Sequence, residues 1–150
     1  MCFAFFRRKK NPPVPDEPEQ IIENIRELYF RYRSGDADVR YELDERDGAY
    51  DLYVRLEGES ADDAVTVPVG EDAVEEIADL LNTYDVLRWD GFHESERGVN
   101  GGDRFTFSVY YGDGNGVSAD GYMCFPDTYD EVREGLDEIF RRLRDNAAQP

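Results

Sequence analysis

The chain has 150 residues, the usual size of a single domain, and 40% of them are hydrophobic, with 10 Tyr and 9 Phe. This composition excludes a disordered chain, which would be poor in aromatic residues. The 35 acidic residues outnumber the 17 basic ones and give a formal net charge of -18. Such a surface repels phosphate groups and attracts basic proteins, so we expect no nucleic acid and a basic protein as partner. Solubility or adaptation to salt explains the same acidity.

The first ten residues place an apolar run before four basic residues, Arg7-Arg-Lys-Lys10. A secretory signal has the opposite order and a longer apolar run, so export is not expected. Residues 1–10 suit weak peripheral contact with an anionic membrane, although a frayed terminus explains them too. A Pro-rich spacer ends at Pro15. We therefore predict a flexible tail at 1–15, one domain at 16–145 and a frayed C-terminus at 146–150.

The two cysteines, Cys2 and Cys124, indicate the compartment. One lies in the predicted tail and the other in a predicted strand, so a disulfide between them is not expected. A reducing, cytoplasmic location fits this pattern. No stretch approaches the roughly 20 apolar residues of a membrane-spanning helix.

The first predicted element is a helix that begins near Pro18, because apolar residues from Ile21 to Tyr32 recur at helical spacing and Gly35 follows. A hairpin comes next. Its strands, near 38–46 and 49–57, alternate apolar and polar residues around a two-residue Asp47-Gly48 turn. This register pairs Leu43 with Leu52 and places every apolar residue on one face, whereas it sets Arg40 opposite Arg55.

A short strand at 64–69 follows, and Pro68 places it at a sheet edge. A second helix begins at Glu71. The second hairpin has strands near 104–111 and 117–125, and a five-residue loop would pair Phe107 with Gly121. The last helix begins after Pro126. The order α-β-β-β-α-β-β-α predicts an α+β domain with three helices on an antiparallel sheet of about five strands.

The sequence contains no recognisable catalytic set. His93 is the only histidine. Cys124 is the one nucleophile that it could activate, and no oxyanion signature accompanies Cys124. Zinc lacks ligands, the Asp113 loop lacks the closing Glu of a calcium site, and no phosphate-binding loop is present. We therefore expect no catalytic residue, no metal and no cofactor.

Two groups of residues are candidates for an interaction surface. The first lies at a turn and comprises Trp89, Phe92 and His93, although the two rings equally suit closing the end of the core. The second is acidic, with Asp51 and Glu57 expected on the outer face of the first hairpin. Asp62 and Asp63 belong to the loop beyond that hairpin.

Residues 80–143 carry Trp89-Asp-Gly-Phe92, Phe107-Ser108, Asp113-Gly114 and Phe125-Pro126. This succession resembles a group of uncharacterised bacterial domains, in which such a turn leads to a Phe-Ser hairpin with an Asp-Gly loop. A Phe-Pro step then leads into the last helix. The resemblance implies a bacterial cytoplasmic protein of unknown role and assigns no catalytic residue.

These observations lead to two hypotheses. The first is a non-enzymatic binding or protein-interaction domain with an acidic surface, for example an inhibitor or immunity-type protein for a basic partner. The alternative is a small enzyme with its site in the Trp89–Asp103 loop region. A deep pocket containing His93 and several carboxylates would favour the enzyme, and a flat acidic face would favour the binding domain.

Overall fold

The fold was analysed on a computed structural model, which describes residues 21–96 and 102–148. The predicted tail at 1–15 lies outside this part of the chain, as does the start of the predicted domain. Within the described residues, no helix has both the length and the apolar character needed to cross a membrane. The last helix continues to residue 148, so the frayed segment predicted from 146 begins within it.

The described residues form one sheet of seven strands with two α-helices. The strands are β1 (Ile25–Ser34), β2 (Ala37–Arg46), β3 (Ala49–Arg55), β4 (Val65–Val69), β5 (His93–Ser95), β6 (Arg104–Tyr111) and β7 (Asn115–Tyr122); the helices are α1 (Glu71–Thr83) and α2 (Tyr129–Ala148). The order in the sheet is β4-β3-β2-β1-β6-β7-β5. The α+β class is confirmed. The predicted details are not, because β5 pairs in parallel with β7 and only two α-helices are present in these residues.

The predicted first helix is wrong over its described part, because β1 occupies it and lies at the centre of the sheet. Leu28, Phe30 and Tyr32 point into the core and alternate with more exposed residues, as in a strand with one buried face. The helical spacing was misleading because Leu28 and Tyr32 are four residues apart, and residues at that distance share a face both in a helix and in a strand. Phe30 breaks the helical stripe, and Gly35 belongs to a tight turn into β2, with φ of 61°.

The first predicted hairpin is confirmed. β2 and β3 join at Asp47-Gly48, and Leu43 pairs with Leu52 in the predicted register. The predicted juxtaposition of Arg40 and Arg55 is also present, and neighbouring carboxylates relieve it. Arg40 bonds Glu42, with Nε–Oε2 and Nη2–Oε2 distances of 2.8 Å. Arg55 reaches diagonally to Asp38, with Nη2 and Oδ2 3.1 Å apart.

The second hairpin is present, but its predicted register is displaced by two residues. The turn contains only Gly112-Asp113-Gly114, so Phe105, rather than Phe107, lies opposite Gly121. Both end glycines have positive φ, of 59° and 90°. A shift of two residues leaves each side chain on its predicted face, so the alternation of inward-facing apolar residues with outward-facing polar residues is unchanged.

One face of the sheet and both helices share a single core. Apolar residues from the strands, α1, α2 and the 3-10 turn Val86–Trp89 belong to one cluster of buried side chains. The opposite face of the sheet is open and carries the polar members of each strand. The structure therefore has two distinct sides, a helical side and an open sheet face.

Cys124 is buried, with 4% of its surface exposed, and is disulfide-bonded. The only other cysteine in the sequence, Cys2, lies outside the described residues. The expectation that Cys124 takes no part in a disulfide is therefore wrong. A disulfide sulfur is not a thiolate nucleophile, so the Cys124–His93 pair cannot act as nucleophile and base in this state.

Candidate functional site

The predicted aromatic patch is not on the surface. Trp89 and Phe92 are each 1% exposed, so they close the end of the core, as the alternative interpretation has it. The ring of Trp89 packs against Phe105 and Phe107, and its Nε1 donates to the carbonyl of Asp127 at 3.1 Å. These rings offer no accessible surface to a partner.

His93 is exposed on the edge strand β5. Its Nδ1 lies 2.7 Å from Oδ2 of Asp120, its cross-strand neighbour. Each of these side chains is about half exposed, at 50% and 55%. Two cavities among the described residues, of about 380 and 290 Å³, are lined by other side chains and not by His93.

The four predicted acidic residues do not come together. Asp51 lies on the open sheet face. Glu57 lies beyond the end of β3 and not on that outer face, because its carboxylate bonds Arg141 of α2 at 2.7 Å. Asp62 and Asp63 are exposed in a 3-10 turn, where Asp63 accepts bonds from the amide and hydroxyl of Ser60.

A concentration of acid lies on α1, and sequence reasoning missed it. This helix contains Glu71, Asp72, Glu75, Glu76 and Asp79 and no Lys or Arg. All five are exposed, because the apolar residues of α1 face the core. From the sequence, Glu71 and Asp72 were interpreted only as the start of this helix. The sequence itself contains the signal for this surface, because thirteen consecutive residues include five carboxylates and no cation.

A groove runs between α1 and the segment that leads into β1. It has a volume of about 380 Å³ and is lined on its rim by Glu23, Glu71, Glu75 and Asp79. The lining also includes the apolar side chains Ile21, Ile22, Ile25, Val74 and Ala78. Most of these are buried, but Ile21 is 51% exposed, which is rare here for a large hydrophobic side chain. We call this feature the acidic groove.

A side-chain amide holds the two walls of the acidic groove together. Oδ1 of Asn82 accepts the amide of Ile22 at 2.8 Å, and Nδ2 of Asn82 donates to the carbonyl of Ile22 at 2.8 Å. Asn82 thus replaces the partner strand that this backbone lacks. The groove is preformed, because its walls are joined without any ligand.

The carboxylates of the groove are not arranged as a metal site. Across residues 21–96 and 102–148, no group of three or more His, Cys, Asp or Glu could hold a metal ion. The arrangement instead combines dispersed negative charge with an apolar floor. Those two properties suit a basic, partly apolar segment of another protein.

No protein-family model matches the chain, and no curated protein matches it significantly. The resemblance of residues 80–143 to uncharacterised bacterial domains therefore stays a prediction.

Proposed function

We propose that this chain is a non-enzymatic protein-binding domain whose acidic groove receives a basic segment of a partner protein. An inhibitor or immunity-type protein that neutralises a basic protein is one form this function takes. The observation that supports it is the combination of four carboxylates with an apolar floor in one groove. The net charge of -18 would add long-range attraction to the same partner.

Each part of the groove has a separate role in this proposal. The carboxylates of Glu71, Glu75 and Asp79 would accelerate encounter and pair with Lys or Arg side chains at the rim. Ile21, exposed beside the buried apolar lining, would supply contact area from which water is excluded, which is where most binding energy arises. Charge would thus set the association rate, and apolar contact would set the lifetime of the complex.

The test uses a defined probe, a peptide with Lys or Arg on one side and Leu on the other. Its binding is compared for three proteins: wild type, the groove variant Glu71→Gln/Glu75→Gln/Asp79→Asn, and the control variant Glu131→Gln/Glu134→Gln/Glu138→Gln. The control removes the same charge from exposed positions of α2. We expect the groove variant to slow association about tenfold or more and the control to change it less than threefold.

Two further measurements separate site binding from general attraction. Ile21→Ser should speed dissociation and leave the association rate nearly unchanged. Raising the salt concentration from low to physiological should slow association with wild type, since exposed charges are screened beyond about 8–10 Å. Equal effects of the groove and control variants would show that net charge acts alone, and the acidic groove would then have no binding role.

A further inference from the structure

The open sheet face carries a cluster of arginines that the acidic groove does not use. Arg31, Arg33, Arg55 and Arg104 lie on this face, on strands β1, β3 and β6, with β2 between β1 and β3. Arg31, Arg33 and Arg55 stand around Asp38 of β2, and Arg104 is the cross-strand neighbour of Arg33. We call these five residues the arginine cluster. In a protein with 35 acidic residues, three cations around one anion, with a fourth cation beside them, form a local reversal of charge.

Three of the guanidinium groups converge on the one carboxylate. Arg31 bonds Asp38 through two atoms, Nε to Oδ1 at 2.9 Å and Nη2 to Oδ2 at 2.7 Å. Arg55 Nη2 lies 3.1 Å and Arg33 Nε 4.0 Å from the same Oδ2 atom. One negative charge faces three positive ones. The guanidinium groups hold the pKa of Asp38 below its usual value, so this carboxylate stays ionised at neutral pH.

The cluster retains unused hydrogen-bond donors. Nε of Arg55 is buried and has no partner among the described residues. Arg33 is 54% exposed, and the 4.0 Å separation from Asp38 is too long for a hydrogen bond. Arg104, the cross-strand neighbour of Arg33, lies over the ring of Tyr122 and makes no ion pair within the described part of the chain. Arginine forks with free donors bind tetrahedral oxyanions well.

Room for a ligand adjoins the cluster. Arg33 and Arg104, with Arg133, also line a cavity of about 290 Å³, whose wall further includes Phe125, Tyr129 and the carboxylates of Asp103 and Asp130. An anion held by the arginines would therefore have space beside it for a small organic group. From the excess positive charge, the free donors and this adjoining space, we propose that the arginine cluster is a binding site for an oxyanion of the phosphate class, free or as a phosphomonoester.

The central carboxylate makes this proposal sharply testable, because it competes with the ligand for the same donors. Asp38→Asn should strengthen phosphate binding about fivefold or more, whereas Arg33→Gln and Arg55→Gln should each weaken it by a similar factor. Arg46→Gln is the matched control. It removes one exposed positive charge from the other end of β2.

The experiment titrates full-length wild type and variants with inorganic phosphate and with phenyl phosphate at constant ionic strength, followed by calorimetry. Circular dichroism verifies that each variant is folded. Thermal unfolding supplies a second readout, since phosphate should raise the Tm of Asp38→Asn more than that of wild type. Tighter binding of phenyl phosphate would identify the phosphomonoester as the ligand, and equal or weaker binding would identify the free ion.

Three results would overturn the proposal. They are the absence of saturable binding up to about 50 mM phosphate, unchanged affinity in both Arg33→Gln and Arg55→Gln, and weakened affinity in Asp38→Asn. A merely structural cluster would also lose stability when Asp38 is replaced, but it would not gain affinity for phosphate. The sign of the Asp38→Asn effect on affinity therefore separates a binding site from a structural ion-pair network.

Discussion

The side chain of Asn82 forms two hydrogen bonds with the backbone of Ile22, one as donor and one as acceptor, each 2.8 Å long. Ile22 precedes β1 and has no strand partner at this position. The Asn82 amide satisfies both of its backbone groups, which would otherwise be buried without partners next to a side chain that is 1% exposed. This pair connects the segment before β1 to the last turn of α1.

Asn82→Ala should lower the free energy of unfolding by about 1–3 kcal/mol, because it leaves the amide and carbonyl of Ile22 without partners. Urea unfolding measures the loss, and amide hydrogen exchange at Ile22 locates it. Thr83→Ala is the control, since the Thr83 hydroxyl is exposed and bonds only the carbonyl of Asp79 within its own helix. Slow exchange of the Ile22 amide in Asn82→Ala would contradict this account.

The bond between Glu59 and Arg144 predicts a loss of stability in acid. Both carboxylate oxygens of Glu59 accept from Arg144, at 2.8 and 2.7 Å. Together with the amide of Leu56, Arg144 lowers the pKa of Glu59 to about 2. A lowered carboxyl pKa stabilises the fold above the ordinary value near 4.5, and that stabilisation is lost as the pH falls toward 2.

Arg144→Gln should therefore be less stable than wild type at pH 7, and the difference should shrink as the pH falls from about 4.5 toward 2. Urea unfolding at several pH values in that range measures it. Arg46→Gln serves as the control, because Arg46 has no ion pair in the described ranges. A constant difference between wild type and Arg144→Gln across the range would mean that the Glu59 carboxylate is not involved.

Tyr32 predicts a second pH dependence, at the alkaline end. Burial and the carboxylate of Asp137, which accepts from Tyr32 Oη at 2.8 Å, raise the pKa of Tyr32 to about 12. A raised phenol pKa stabilises the fold below the ordinary value near 10, and this stabilisation is lost as the pH rises from 10 to 12. Tyr32→Phe should show a flatter decline in unfolding free energy over this interval than wild type. Identical slopes for the two proteins would refute the prediction.

Gly121 faces Phe105 at a point of close approach. A Cβ at this position would lie 2.0 Å from the carbonyl oxygen of Cys124 and 2.7 Å from the Phe105 ring. Gly121→Ala should cost about 2 kcal/mol or more, because the backbone oxygen must move. Gly116→Ala on the same strand should change stability by less than about 0.5 kcal/mol, because its nearest neighbour is the exposed ring of Tyr110. Comparable costs for the two variants would be inconsistent with this contact.

Local chemistry predicted those parts of the fold that a short stretch of sequence determines. The Asp47-Gly48 turn allows one loop length, so the register of β2 and β3 followed from it. Glycines at 112, 114 and 116 allow several loops, and the register of β6 and β7 was misplaced for that reason. The apolar residues of β1 fit two periodicities, and only its pairing with β6, far along the chain, decides between them.

Neither candidate site could be predicted from sequence order. The acidic groove brings Glu23 beside Glu75, and the arginine cluster brings Arg31 beside Arg55. Both depend on how β1 is placed, and β1 was predicted as a helix. The charge of α1 was visible in the sequence, but its position next to an apolar floor was not.

The central position of β1 has a consequence for synthesis on the ribosome. The backbone of β1 can form hydrogen bonds with β2 along one edge soon after synthesis. Its other edge pairs with β6, which is translated much later. At about 5–20 residues per second, the nascent chain would carry an unpaired, aromatic strand edge for several seconds. Until β6 emerges, that edge is open to pairing with a second nascent copy. Misassembly during translation should therefore occur at β1, and slower translation between β4 and β6 should increase it.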